Sequence, residues 1–228
     1  MIWILGFFRS TMGKKAVMAV SGVVLFGFVL GHMLGNLKLF AGPQALNAYA
    51  EHLRVIGEPV LPESGALWIA RIGLLIAVAL HIYSATALTL RNRRARDRSY
   101  VQFRPQAATY ASRTMRFGGI IILAFIVYHL LHFTFGTVHG DFIEGDVYHN
   151  VVSGFRNPLV SSFYILAQLA LGLHLYHGLW SMFQSLGLSG PRLDPFRQQF
   201  AMAFAAIIVI GNIALPVSVL AGIVTLQG

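Results

Sequence analysis

The chain contains no cysteine, which excludes disulfides, thiolate metal clusters and thioether-linked cofactors within it. Charge is almost as scarce. Only 11% of the 228 residues are charged while 56% are hydrophobic, a balance that excludes an ordinary soluble domain. Acids are the rarer sign, 8 against 17 lysines and arginines. Low-complexity tracts are missing, and so is the apolar-polar alternation of barrel strands, so any crossing of a membrane must be helical.

What is present is a set of five apolar runs, at 16–37, 66–90, 117–136, 158–187 and 200–225. Each is near or above the ~20 residues that carry a helix across a ~30 Å hydrocarbon core. The expected fold is therefore an all-α membrane protein of five transmembrane helices, one domain over residues 1–228. The first run lacks a small-residue cleavage site before polar sequence and reads as a retained span rather than a leader. Residues 45–54, followed by Pro59 and Pro62, read as a short helix lying at the interface.

Basic residues are not spread evenly over the connections. The N-terminus, the second connection and the fourth carry 13 of the 17, including Arg91, Arg93, Arg94, Arg96, Arg98, Arg104, Arg113 and Arg116. Six of the eight acids lie on the other side. The positive-inside rule then predicts a cytoplasmic N-terminus and an external C-terminus. A cytoplasmic collar against lipid headgroups accounts for the net charge of +9, so no nucleic-acid partner is expected.

Four of the five runs hold a histidine well inside them: His32, His81, His129 and His174. A neutral imidazole in hydrocarbon is costly unless something binds it. At ~1.5 Å per residue, His32 lies ~25 Å from Lys15 and His129 ~20 Å from Arg116, whereas His81 lies ~15 Å from Arg91. His32 and His129 thus belong toward the outside and His81 toward the inside, which leaves His174 as the partner of His81. Two opposed pairs suit two bis-histidine haems. His132 and His177 each follow a candidate ligand by three residues, so spacing admits either member of each couple. Gly27, Gly31 and Gly35 form a small-residue stripe beside His32, suited to a flat cofactor or to close helix packing. Arg71, Arg113 and Arg116 sit at helix mouths, where they can pair propionates or anchor the interface. His52, His139 and His149 read as solvated loop residues; Glu51, His52, Arg54 and Glu58 outside, and Ser21 and Arg91 inside, are the polar groups available to a quinone.

Certain motifs carry a resemblance. Phe-Val-Leu-Gly-His-Met-Leu-Gly-Asn spans 28–36 and Ala-Leu-His-Ile-Tyr-Ser spans 79–84; Arg-Phe-Gly-Gly at 116–119 leads to Val-Tyr-His at 127–129, and Leu-His-Leu-Tyr-His-Gly-Leu-Trp-Ser spans 173–181. With these the chain resembles the single-chain, five-helix, di-haem cytochrome b anchors of succinate:quinone oxidoreductases. That resemblance implies His32 and His129 as ligands of a distal haem b, and His81 and His174 of a proximal one. It favours His129 over His132 and His174 over His177, which leaves His132 and His177 to bond a propionate, a quinone or a helix carbonyl. It also implies a membrane quinone, menaquinone by expectation, an iron-sulfur subunit and an FAD flavoprotein subunit as partners, and a bacterial inner-membrane location. Dicarboxylate chemistry would belong to the flavoprotein. A haem-free quinone-binding anchor and an ion or metal transporter are the alternatives; the transporter reading lacks intramembrane acids.

Overall fold

The computed structural model describes residues 2–95 and 110–226, with side-chain surroundings given for 6–95 and 115–226. Eight α-helices account for most of the described residues, and no strand occurs among them. Five are long and apolar enough to cross a membrane: α2 (Thr11–Asn36, extended by a 3-10 turn to Ala41), α4 (Gly65–Arg94), α5 (Tyr110–His129, continued by a π-turn at Leu130–Thr134), α7 (Pro158–Ser185) and α8 (Asp194–Leu220). Three shorter helices join them: α1 (Ile2–Arg9), α3 (Pro43–Val55) and α6 (Val147–Phe155). This is an all-α, multi-pass membrane protein.

Local chemistry sets the helix ends. Ser10 caps α2 by accepting the Gly13 N–H at 3.0 Å. Asn157 caps α7 by accepting the Leu159 N–H at 3.0 Å, with Pro158 in the first turn, where its missing N–H costs nothing. Gly187, at φ +78°, closes α7 as the Leu188 N–H reaches back to the Phe183 carbonyl.

Because the spans alternate, one end of the bundle collects Arg9, Lys14, Lys15, the last turn of α4 and the start of α8; we call it the basic end, and the other the far end. Side by side, α2 packs on α4, α5 on α7 and α7 on α8, while α2 also touches α7 and α8. Between α2, α7 and α8 lies a core of Met33, Leu175, Ala205 and Ile208. Gly211 lets the Met33 sulfur approach α8, and Gly172 accepts Val209, so small residues set these separations. At the far end α3 and α6 close the bundle over Leu39, Leu46, Tyr148, Val152, Phe155 and Tyr164. Outward along the spans, Leu75, Ile120, Leu166 and Ile210 are exposed, the apolar exterior that lipid requires.

Candidate functional site

Two pairs of imidazoles stand opposite one another between the spans, His81, His129 and His174 half-buried and His32 exposed. His32 of α2 and His129 of α5 have ring centres 5.8 Å apart with planes at 85°; nearer the basic end, His81 of α4 and His174 of α7 stand 6.2 Å apart at 60°. Neither α2 with α5 nor α4 with α7 packs closely along its length. Each pair of rings therefore bridges two helices that are otherwise held apart.

The pair nearer the basic end is supported by backbone and by glycine. The His81 Nδ1 lies 3.2 Å from the Met18 carbonyl and 3.4 Å from Ser21 Oγ, so its N–H donates to that carbonyl and Nε2 keeps its lone pair. Gly22 sits behind the same ring, where a Cβ would stand 3.5 Å from Cε1, and Gly119 sits likewise behind His174 at 3.9 Å. The His174 Nδ1 is buried without a hydrogen-bond partner. In the pair nearer the far end, His32 stacks on Phe28 at 5.3 Å, and the His129 Nδ1 lies 3.4 Å from the Tyr164 hydroxyl.

The two rings that spacing left as alternatives stand elsewhere. His132 is buried within the π-turn, its Nδ1 3.0 Å from Tyr164 Oη and its ring stacked between Tyr128 and His139. A π-turn winds more residues into each turn, which opens the angle between positions 129 and 132 and turns His132 toward Tyr164. His177 lies edge-on to Trp180, its Nδ1 buried and unpaired. His139 lies in the connection before α6, as expected, but half-buried rather than solvated: its Nε2 donates to the Asn150 carbonyl at 2.9 Å and its ring stacks on His132, because α6 folds back over the far end. His149 is not a loop residue either; it lies on α6 with its Nε2 3.0 Å from Asp141 Oδ2.

The remaining sequence candidates are dispersed. Arg71 lies over the Trp68 ring at 5.1 Å, Arg116 is exposed, and the Arg113 side chain lies outside the described surroundings. Glu51, His52 and Arg54 are exposed on α3. Arg91 instead clamps α1 through the Arg9 carbonyl at 2.6 Å, and Ser21 spends its proton on α2 carbonyls. In the glycine stripe, Gly35 takes the Tyr49 ring, whereas a Cβ at Gly27 or Gly31 would meet nothing within 4 Å. Of the arginine collar at 91–104, residues 96–104 lie outside the described residues. Tyr164 carried no signal in the sequence analysis, since an aromatic in an apolar run reads as core.

Two imidazoles across a gap, with no cluster of three or more metal-binding side chains among the described residues, do not make a site for a bare ion such as four-coordinate zinc. They suit a metal that brings its own equatorial ligands. With metal–nitrogen bonds of ~2.0 Å and ~1.2 Å from nitrogen to ring centre, two imidazoles on opposite sides of one metal would stand ~6.4 Å apart. Both observed separations are close to that value. With the lone pair that Met18 leaves on His81 and glycines behind the rings of His81 and His174, the residues fit haem.

A family model described as the succinate dehydrogenase/fumarate reductase transmembrane subunit matches residues 90–214. The chain belongs to that family. The match runs from the end of α4 into α8 and includes His129, His132, His174 and His177; His32 and His81 lie before it. No curated protein and no solved structure matched the chain. Members of this family are the membrane-anchor subunits of the succinate dehydrogenase and fumarate reductase complexes, so this chain is part of an enzyme complex.

Proposed function

We propose that this anchor carries electrons between an iron-sulfur partner and a membrane quinone, with His32 and His129 holding an outer haem b and His81 and His174 an inner one. The two opposed imidazole pairs, at 5.8 and 6.2 Å, carry this reading. Bound haem supplies one-electron carriers within the bilayer. Everything else is the work of the chain. Held between two histidines, one on each side, haem would serve as an electron carrier rather than as a site for substrate chemistry. The Met18 carbonyl fixes the His81 tautomer, and the apolar spans α2, α4, α5 and α7 carry the four rings within the stretches that cross the membrane.

The basic end faces the cytoplasm, by the charge asymmetry of the connections. There Arg93 and Arg94, exposed at the close of α4, present the surface on which the acidic face of an iron-sulfur subunit docks; an FAD flavoprotein beyond it handles the dicarboxylate. At the far end, Glu51, His52 and Arg54 on α3 supply the polar and titratable groups that quinone chemistry requires, with menaquinone the proposed species. A reduced-minus-oxidised optical spectrum of the purified protein tests the reading directly. Two b-type haems per chain are expected; a protein that folds and binds none overturns it.

A further inference from the structure

Tyr164 places one hydroxyl between two imidazoles, 3.0 Å from His132 Nδ1 and 3.4 Å from His129 Nδ1. A phenol has a single proton to give. If it goes to His129, that ring must carry its own proton on Nε2. If it goes to His132, the phenol oxygen is free to accept from His129 Nδ1–H, and His129 Nε2 keeps its lone pair.

We propose that Tyr164 and His132 are positioning residues for His129: the hydroxyl donates to His132 and accepts from His129, holding His129 in the tautomer able to ligate through Nε2. The inference rests on the haem reading above and adds to it how the outer ligand is held. Several observations point the same way. The shorter separation is the one to His132. That ring cannot turn away, being stacked on Tyr128 at 5.4 Å and under His139 at 4.7 Å, and His139 is tied to the Asn150 carbonyl. Gly154 opens the space for both, since a Cβ there would stand 2.9 Å from His132 Cε1 and 3.1 Å from His139 Nε2. Tyr164 is 5% exposed and lies among Phe125, Phe133 and Phe155, which offer its hydroxyl no hydrogen bond. On the inner pair, the backbone carbonyl of Met18 meets His81 Nδ1 in the same way. The outer pair differs in using a side chain, so its support can be removed by substitution.

An acceptor on Nδ1–H makes the imidazole a stronger donor through Nε2 and so favours the oxidised metal. Potentiometric titration of the purified haem-loaded protein, followed optically, reads the consequence. In Tyr164→Phe one of the two midpoint potentials should rise while the other stays, and both haems should remain bound. His132→Leu should also shift that potential, and His132→Gln, whose amide oxygen can take the phenol proton, should restore it. Tyr148→Phe is the control, since its hydroxyl, at the same end of the bundle, bonds the Thr225 carbonyl and no histidine. Two bound haems with both potentials unmoved in Tyr164→Phe, or an equal shift in Tyr148→Phe, would overturn the inference. Absence of haem from the unaltered protein would overturn the haem reading instead.

Discussion

The imidazoles of His81 and His174 meet at 6.2 Å across α4 and α7, two helices that otherwise barely approach each other. A cofactor gripped from both sides depends on both grips. His81→Ala and His174→Ala should therefore each lower the haem content from two per chain to one, and the double variant should do no more than either single one. His32→Ala and His129→Ala should remove the other haem. Haem extraction and quantification checks this, and loss of different haems from the His81 and His174 variants would refute the pairing.

The end of α1 is held by two cations. Lys14 Nζ reaches the Arg9 and Phe8 carbonyls at 3.0 and 3.3 Å, and Arg91 reaches the Arg9 carbonyl and Thr11 Oγ1. Positive charge is favoured at a helix C-terminus, and Lys14 is 7% exposed, so solvent does not replace it cheaply. Lys14→Met should cost the local structure about 1–2 kcal/mol and raise amide exchange in residues 2–9 at least about fivefold, with the spans unchanged. Exchange measured by mass spectrometry in detergent decides it; unchanged protection in α1 would rule the clamp out.

The five spans were legible because hydrocarbon demands long apolar helices, and their observed bounds differ from the sequence runs by a few residues. At the N-terminal end, α2 begins at Thr11 rather than 16, because Lys14 and Lys15 read as flanking charges whereas Lys14 folds back onto α1. Residue counting set His32 and His129 toward one end and His81 toward the other, helical rise being nearly constant, whereas His174 was assigned to His81 by elimination. What hydropathy could not carry was direction. The π-turn after His129 sends His132 toward Tyr164, which is 32 residues away in sequence. The nine-residue α6 was missed for a related reason: its cap is Asp146, in a stretch whose polarity reads as loop, and its role depends on Asn150 and Gly154 meeting partners from other elements.

Gly154 is a tight point of that far-end closure. A methyl group there would meet His132 Cε1 at 2.9 Å, Phe133 Cε1 at 3.0 Å and His139 Nε2 at 3.1 Å, three rings already packed against one another. Gly154→Ala should destabilise the protein by about 1–3 kcal/mol, the usual cost of overpacking, despite the better helix propensity of alanine. Thermal unfolding of the solubilised protein measures this. A variant as stable as the parent would mean that α6 rides loosely on the bundle.

Asp146 ties α6 to α3 through charge as well as geometry. Its carboxylate accepts the backbone N–H of His149 at 2.9 Å and the Asn47 side-chain amide at 2.9 Å, while Asn47 in turn accepts the Tyr148 N–H. Those donors, the His149 N–H foremost, hold the carboxyl below the usual carboxylate range. A lowered value means that the unfolded chain takes up the proton first as pH falls. The stabilisation is therefore complete above the ordinary aspartate value near ~3.9 and is lost as pH drops through the lower folded value. Asp146→Asn keeps an oxygen for the cap but removes the charge. At pH 6 the parent should unfold at a higher temperature than Asp146→Asn, and the gap should close as the pH is taken down through 4 toward 3. A gap that stays constant over that interval would show that the carboxylate charge contributes nothing to holding α6 in place.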